Sequence, residues 1–599
     1  MQKILMLNFT RMGDLIESTS LFKRIKAVYP DSYVTLAVVP DFFEICDFFD
    51  DIDEIRIFDM NVILTELQNN QFNFNYETYK KFENALKEFT GENYDIVFNL
   101  THDIASSYFM YILNSKKFVG FSRNREDSLI TYGEFLKFFS AIAKVRKASC
   151  INLVDIYEKM FNENIMRNVI YKNNNGNSKY NQNNYTGKIY LNTEKKKNTR
   201  KRIDEFFSIN NVNKNNRIIS FAIGASSPLK KWKKEYFAEL GKSLLKYDKN
   251  IKILILGAKY DEEGGQYIKS YLDNNNCNNV IDLTGKTTVS ELVNFVKKSN
   301  LLVTNDTGTM HIATAVETDV TVIYTGQAGF YETGPYRENQ TLILPDIPCF
   351  PCDFKTACTN YLCGEYIRPE NVFEIIKLKL ENKLNKENLN ALNNDCDNLH
   401  ALNKIIPMVS KFDGYGFMDY LPLKDIKLTF ENFRLKIFKL AMESCLANIS
   451  SQPLSEDDIT VFMDNYSYLD ENFNFDISKL YNILDIMVNL CIDAMIFCKS
   501  LIKISINNEI NTDNQKNYIA ELFFNLNGID NSLLLRALAY DELYALNIMH
   551  RSAKESTLSY DLFGIAFDRL KNFSRFKLFL KTYKKFIDVF LEEIKLKFN

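Results

Sequence analysis

The residues with chemical potential gather at four places. In NDTGTMHIATAVETDVTVIYTG, residues 305–326, Asp306, Thr307 and Gly308 follow a short apolar run, and His311, one of four histidines in the chain, stands one turn further on. A strand giving way to a helix at Thr307–Gly308 would aim free N–H groups and the positive end of the helix dipole at an anion, with His311 beside it. The bland alternative is a histidine satisfied inside the core. In ILMLNFTRMGDLIESTS, Asp14 follows Gly13 at a strand-to-helix turn, where a carboxylate could act as a general base toward a hydroxyl or could merely cap the helix. In FAIGASSPLKKWKKEYF, the hydroxyls of Ser226 and Ser227 and the ammonium of Lys231 could hold phosphate oxygens. The alternative there is a solvated lysine cluster with the single tryptophan, Trp232, in the core. Fourth, Cys349, Cys352, Cys358 and Cys363 lie in one loop, PCFPCDFKTACTNYLC. Four soft thiolates suit a structural tetrahedral zinc or iron with no open catalytic position, and free thiols or a disulfide pair are the other reading.

These groups need a scaffold that points strand ends at a common crevice. Lys3–Phe9, Tyr33–Val39 and Tyr94–Leu100 read as strands separated by helical patterns, such as Asp14–Val28 and the short Phe42–Phe49. Residues 61–91 form a polar insertion, helical in its second half. Alternation resumes with strands at Arg217–Ile223, Ile251–Leu256, Leu301–Thr304 and Val320–Tyr324. This is the α/β pattern of parallel sheets, and open parallel sheets bind ligands beyond the carboxyl ends of their strands. We expect two doubly wound, Rossmann-like domains facing a cleft, at residues 1–170 and 190–382, the second holding the cysteine loop 349–363. The Asn-rich stretch 171–189 should link them, since it is too polar to repay its ordering entropy. Residues 383–427, with the near-repeat NLNALN and NLHALN, read as a polar linker. From residue 428 to 599 helical periodicity dominates, so a C-terminal all-α domain is expected. Its last segment, from Arg569, is rich in Phe, Lys and Arg and reads as a core-facing Phe stripe or as a helix for a membrane surface or an oligomer contact.

The near-neutral charge of −3 gives no support for nucleic-acid binding. No run reaches the ~18 uninterrupted apolar residues of a spanning helix, because polar groups from Asn482 to Lys499 break the best one, Leu480–Ile502. The N-terminal apolar run is too short for a signal-peptide core, and eleven mostly scattered cysteines suit a reducing compartment, so a cytoplasmic location is expected. Asp51 and Asp53 have the spacing of a metal-binding acidic pair but lack its glycine-rich setting.

Taken in order, the GD turn with the Thr19 region, GASS…KKW, the GK turn at Gly285–Thr288, DTGTMH and TG…GPY at Thr325–Tyr336 resemble glycosyltransferase family nine, the bacterial heptosyltransferases, over roughly residues 1–380. The resemblance implies a GT-B fold and metal-independent, inverting transfer of a sugar, ADP-heptose being the favoured donor, to a hydroxyl of a glycan, lipid or protein. It assigns Asp14 as the base beside Gly13. Ser226, Ser227, Lys231, Thr287, Thr307, Gly308 and His311 fall to the nucleotide-sugar side, with Asp306 near the sugar. One position departs from the family pattern: Lys259 stands where a glutamate meets the nucleotide ribose, with Asp261, Glu262 and Glu263 after it. A non-catalytic nucleotide-sugar-binding scaffold and a sugar-nucleotide epimerase of the same fold are the competing readings.

Overall fold

The computed structural model describes the chain except residues 60–75, 124–128, 143–144, 146–147, 167–186, 275–278, 353–356, 394–403, 415, 429, 447–465, 470–472, 507–512, 541–542, 544–546, 548–549, 551–561 and 599. The expected linker 171–189 therefore lies almost wholly outside the described residues.

Two parallel sheets carry the first two thirds. The first holds β1 (Lys3–Leu7), β2 (Tyr33–Val38), β3 (Glu54–Ile57), β4 (Ile96–Asn99), β5 (Phe118–Arg123) and β6 (Leu129–Tyr132). Their order is β3-β2-β1-β4-β5-β6, with only β6 antiparallel to its neighbour. The central strand β1 is buried from Ile4 to Leu7, which explains its unbroken apolar run. The second sheet holds β7 (Arg217–Ala222), β8 (Ile251–Leu256), β9 (Val280–Asp282), β10 (Leu301–Asn305), β11 (Asp319–Ile323) and β12 (Thr341–Pro345). It continues through β13 (Ile405–Phe412) and β14 (Met418–Pro422), in the order β14-β13-β12-β11-β10-β7-β8-β9. In each sheet the strand order reverses at the centre, beside β1 and beside β7–β10, the place where doubly wound sheets bind ligands. The two-domain α/β expectation holds.

The segment expected to be a polar linker, 383–427, is corrected. It contributes β13 and β14, which extend the second sheet as an antiparallel hairpin. Its Lys and Asn content hid an apolar alternation flanking Asp413-Gly414, a hairpin signal that was there to be used. Gly416 takes φ +77 in the connection. The C-terminal region is likewise not wholly helical: β16 (Tyr466–Leu469) pairs in parallel with β15 (Ile426–Leu428). Among its described residues it is otherwise built from long helices, Phe430–Leu446, Phe473–Ile506, Asp513–Ala537 and Leu562–Phe598. The last buries Phe573, Phe576, Leu580, Tyr583, Ile587 and Phe590 in the main core, the core-facing stripe among the two readings of that segment. By length and composition alone Asp476–Ser505 is apolar enough to cross a membrane, with 33% of its most apolar window buried inside the molecule.

The helical region is fastened to the second sheet by buried charge. Lys439 Nζ lies 3.0 Å from Asp419, 3.3 Å from Glu443 and 3.4 Å from Asp413, and Lys436 also pairs with Asp419. Removing one member would leave uncompensated buried charge, so the cluster fixes how the helix meets β14. Tyr420 of β14 accepts a hydrogen bond from Asn152 of the first domain at 3.2 Å, and Asn152 also donates to Gly334 O at 3.2 Å. The hairpin is thereby part of the wall behind the cleft.

Candidate functional site

Asp14 lies in the first turn of helix α1 (Met12–Glu17), beyond the carboxyl end of β1. The helix begins at Met12, two residues before the start expected at Asp14, and Arg11 is its N-cap residue, so capping is not the task of Asp14. Burial raises the Asp14 carboxyl above the usual aspartate range, against the opposing pull of the Arg11 charge, the Thr10 hydroxyl and the Arg11 backbone. A carboxylate made more basic but kept ionisable suits proton abstraction.

The opposite wall comes from the second sheet. β10 ends at Asn305, and the Gly308–Ala315 helix starts after Thr307, whose hydroxyl makes no capping bond to it. The first N–H groups of that helix lack a side-chain cap, as an anion site requires. The two walls touch. A Cβ on Gly13 would fall 2.8 Å from the His311 ring, and one on Gly308 would fall 2.7 Å from the end of Met12. At Gly13 a side chain would collide with the ring, so glycine there lets the base and the helix start approach, whereas at Gly308 the contact is with the flexible end of Met12.

The lysines separate in role. Lys230 is buried and holds Asp306 at 2.6 Å, while the other Asp306 oxygen accepts from Thr333 at 3.2 Å. Lys231 is part-exposed at the cleft and pairs with the buried Asp261 at 2.6 Å. Trp232 is fully buried, its backbone N–H donating to Asn305 Oδ1 at 3.0 Å and its indole N–H to Ile367 O at 2.8 Å. These bonds clamp the loop after β7 to the end of β10, which sets the direction of both lysines. Ser226 is exposed; Ser227 is half-buried and caps the short turn after it by accepting from Leu229 N at 3.3 Å. Lys259 is exposed, and the acid that turns inward is Asp261, bonded to Ala258 N at 3.1 Å as well as to Lys231. Thr287 is half-buried, one residue before Thr288, the N-cap of the Val289–Lys298 helix. That helix start is occupied by Glu44 of the first domain, which accepts from Ser290 N at 2.9 Å and Val289 N at 3.2 Å.

The cysteine loop lies close to Lys231. Tyr361 donates its hydroxyl proton to the Lys231 carbonyl, and its own N–H bonds to the Cys358 sulfur at 3.3 Å. Cys352 and Cys363 are buried, Cys349 and Cys358 exposed. Burial raises the Cys363 thiol, with the Cys349 and Cys358 sulfurs adding to the rise, so these three are near one another. Among the described residues, however, no group of three or more His, Cys, Asp or Glu side chains is placed to hold a metal ion. The Asp51 and Asp53 pair has structural partners, Tyr190 at 2.5 Å and Lys26 at 2.6 Å.

Sequence reasoning missed Glu17. It lies one turn after Asp14 on the same face of α1, fully buried, with neither carboxyl oxygen hydrogen-bonded. The i, i+3 spacing from Asp14 was the available signal. Tyr157 and Tyr324, with buried hydroxyls that also make no hydrogen bond, stand in the field of the same carboxylates.

With this geometry in place, the chain can be compared with known proteins. Residues 83–362 match the model for Glycosyltransferase family 9 (heptosyltransferase). A lipooligosaccharide heptosyltransferase 2 of Campylobacter jejuni is 33% identical over 165 residues, 27% of this chain and 51% of the relative. Lipopolysaccharide heptosyltransferase 2 of Escherichia coli is 31% identical over 108 residues, 18% of this chain and 30% of the relative. The chain thus spans about half the length, or less, of the curated relatives it matches. Among solved structures, E. coli ADP-heptose lps heptosyltransferase II aligns over 64% of this chain and all of that one, at 18% identity and a TM-score of 0.45. The family match begins downstream of Gly13 and Asp14, so the place of these two residues rests on the geometry.

Proposed function

We propose that the protein, whose residues 83–362 match the model for Glycosyltransferase family 9, is an inverting glycosyltransferase that moves a heptose from ADP-heptose to a hydroxyl of a glycan, lipid or protein acceptor. The observation that carries this reading is the meeting of Asp14, from the first sheet, with the uncapped start of the Gly308–Ala315 helix and His311, from the second. A base and an anion cradle on opposite walls of one cleft suit displacement at an anomeric carbon.

In the proposed reaction Asp14 takes the acceptor hydroxyl proton as the oxygen forms its bond to the anomeric carbon. The bond from that carbon to the diphosphate breaks, and its electron pair leaves with the phosphate oxygen. The N–H groups at Gly308 and the Lys231 ammonium stabilise the charge that develops there, a preorganised electrostatic effect. Lys231 reaches the diphosphate by exchanging its bond to Asp261 for one to phosphate. Lys230 stays with Asp306 and fixes that carboxylate near the sugar. No metal takes part. The reading includes a cytoplasmic location, which fractionation of cells tests.

The test is a transfer assay with ADP-heptose and a lipooligosaccharide core acceptor, followed by ADP release and the anomeric configuration of the product. Inverted product with stoichiometric ADP supports the proposal. Interconversion of sugar nucleotides without acceptor would favour an epimerase, and no turnover with any acceptor would favour a binding scaffold.

A further inference from the structure

The proposed mechanism leaves one buried group unused. Glu17 Oε1 faces His311 Nδ1 at 3.7 Å across the boundary between the two domains. Neither carboxyl oxygen of Glu17 nor Nδ1 of His311 makes a hydrogen bond, and both side chains are almost completely buried. Orphaned buried polar atoms are costly, and two that face each other slightly beyond bonding distance form a pair once the gap closes by less than an ångström. The other ring nitrogen, Nε2, lies beside Gly13, 3.2 Å from where a Cβ on that residue would be, and so borders the catalytic turn.

Resting on the transferase reading, we propose that Glu17, as a neutral carboxylic acid, is a positioning residue that donates to His311 Nδ1 and thereby keeps Nε2–H as a donor toward the nucleotide diphosphate. A neutral imidazole has one donor and one acceptor nitrogen, and the partner of one decides the role of the other. An ionised Glu17 could only accept. It would draw the proton to Nδ1 and turn the Nε2 lone pair toward phosphate oxygens, which repel it.

The surroundings favour the neutral pair. Burial raises Glu17 well above the usual glutamate range, and Asp14 on its own helix, Asp306 after β10 and Glu332 on the Phe330–Thr333 helix add to the rise. The hydroxyls of Tyr157, Tyr324 and Tyr420, from three further elements, lie in the same field. Burial lowers His311 to about 4; Asp306 opposes this and Lys230 adds to it. Both shifts favour a proton on Glu17 over one on the ring.

The experiment uses the full chain with nitrogen-15-labelled histidine and the variants Glu17→Gln and Glu17→Leu. Four histidines give few ring signals, and His311→Gln assigns the relevant one. ADP is titrated in parallel from pH 6 to 9. In the wild type and Glu17→Gln, whose amide also donates, His311 should hold the Nε2–H form. Glu17→Leu should release it into a tautomer mixture and weaken ADP by about three- to tenfold, the worth of one hydrogen bond. Wild-type ADP affinity should fall as pH rises through the ionisation of Glu17, and Glu17→Gln should remove that fall. An unchanged tautomer in Glu17→Leu, or Glu17→Gln with the wild-type pH dependence, overturns the proposal. If Glu17→Leu does not fold, the Glu17→Gln pH comparison decides alone. If the wild type binds no ADP while Glu17→Leu still switches the tautomer, the positioning role stands and the donor assignment fails.

Discussion

The two walls of the cleft handle charge in opposite ways. On the second-domain side the two lysines already have counter-charges: Lys230 with Asp306 and Lys231 with Asp261, both at 2.6 Å. On the first-domain side Asp14 and Glu17 are acids on one helix, raised by burial, and neither carboxyl oxygen of Glu17 has a hydrogen bond. A wall of paired charges receives a diphosphate once Lys231 exchanges Asp261 for a phosphate oxygen. A wall of raised carboxyls is poised to exchange protons. The difference divides the labour: one side binds, the other reacts.

Substitutions should separate these tasks. The largest effect is expected for Asp14→Asn, which should lower transfer by about 10²- to 10⁴-fold with nucleotide affinity nearly unchanged, measured as initial rates of ADP release. Because Asp14 must be ionised to act and its carboxyl is raised, the acid limb of the rate profile should lie above the ordinary aspartate range, activity growing as pH rises through it. Next, Lys230→Met strands the buried Asp306 carboxylate and should destabilise the fold by about 3–5 kcal/mol in denaturant titration. Lys231→Ala removes a part-exposed group but unpairs the buried Asp261, which keeps its bond to Ala258 N, so it should cost less stability than Lys230→Met while weakening ADP by about tenfold in calorimetric titration. The smallest effect concerns Glu158, buried behind the first wall and raised to about 8 by burial, against the pull of Arg24. A folded-state value above the unfolded one means stability is fully present below about pH 4.5 and is lost as pH climbs toward 8. Glu158→Gln should therefore gain on the wild type by a few degrees in Tm between pH 5 and pH 9.

The two regions were also unequally legible in the sequence. The second wall was readable because its chemistry is local: DTGTMH and GASS…KKW each follow a strand, and each places its own donors. The first was readable only in part. Asp14 announced itself beside Gly13, but Glu17 sits in a plain helical run and gains meaning only when the second domain brings His311 against it. Which lysine is buried was equally hidden, since Lys230 and Lys231 are neighbours in sequence and only the pull of Asp306 and Asp261 from separate elements divides them. The hairpin Ile405–Pro422 was overlooked because polar composition outweighed its alternation. It forms because β12 offers an edge to pair with and because Lys439 draws Asp413 and Asp419 inward.

Isothermal titration of the wild type, Asp14→Asn, Lys231→Ala and His311→Ala against ADP, UDP and GDP tests the division between the walls most directly. The account predicts selective binding of ADP that is untouched by Asp14→Asn and weakened by the other two. Equal losses from Asp14→Asn and Lys231→Ala, or no binding of any of the three nucleotides, would contradict it.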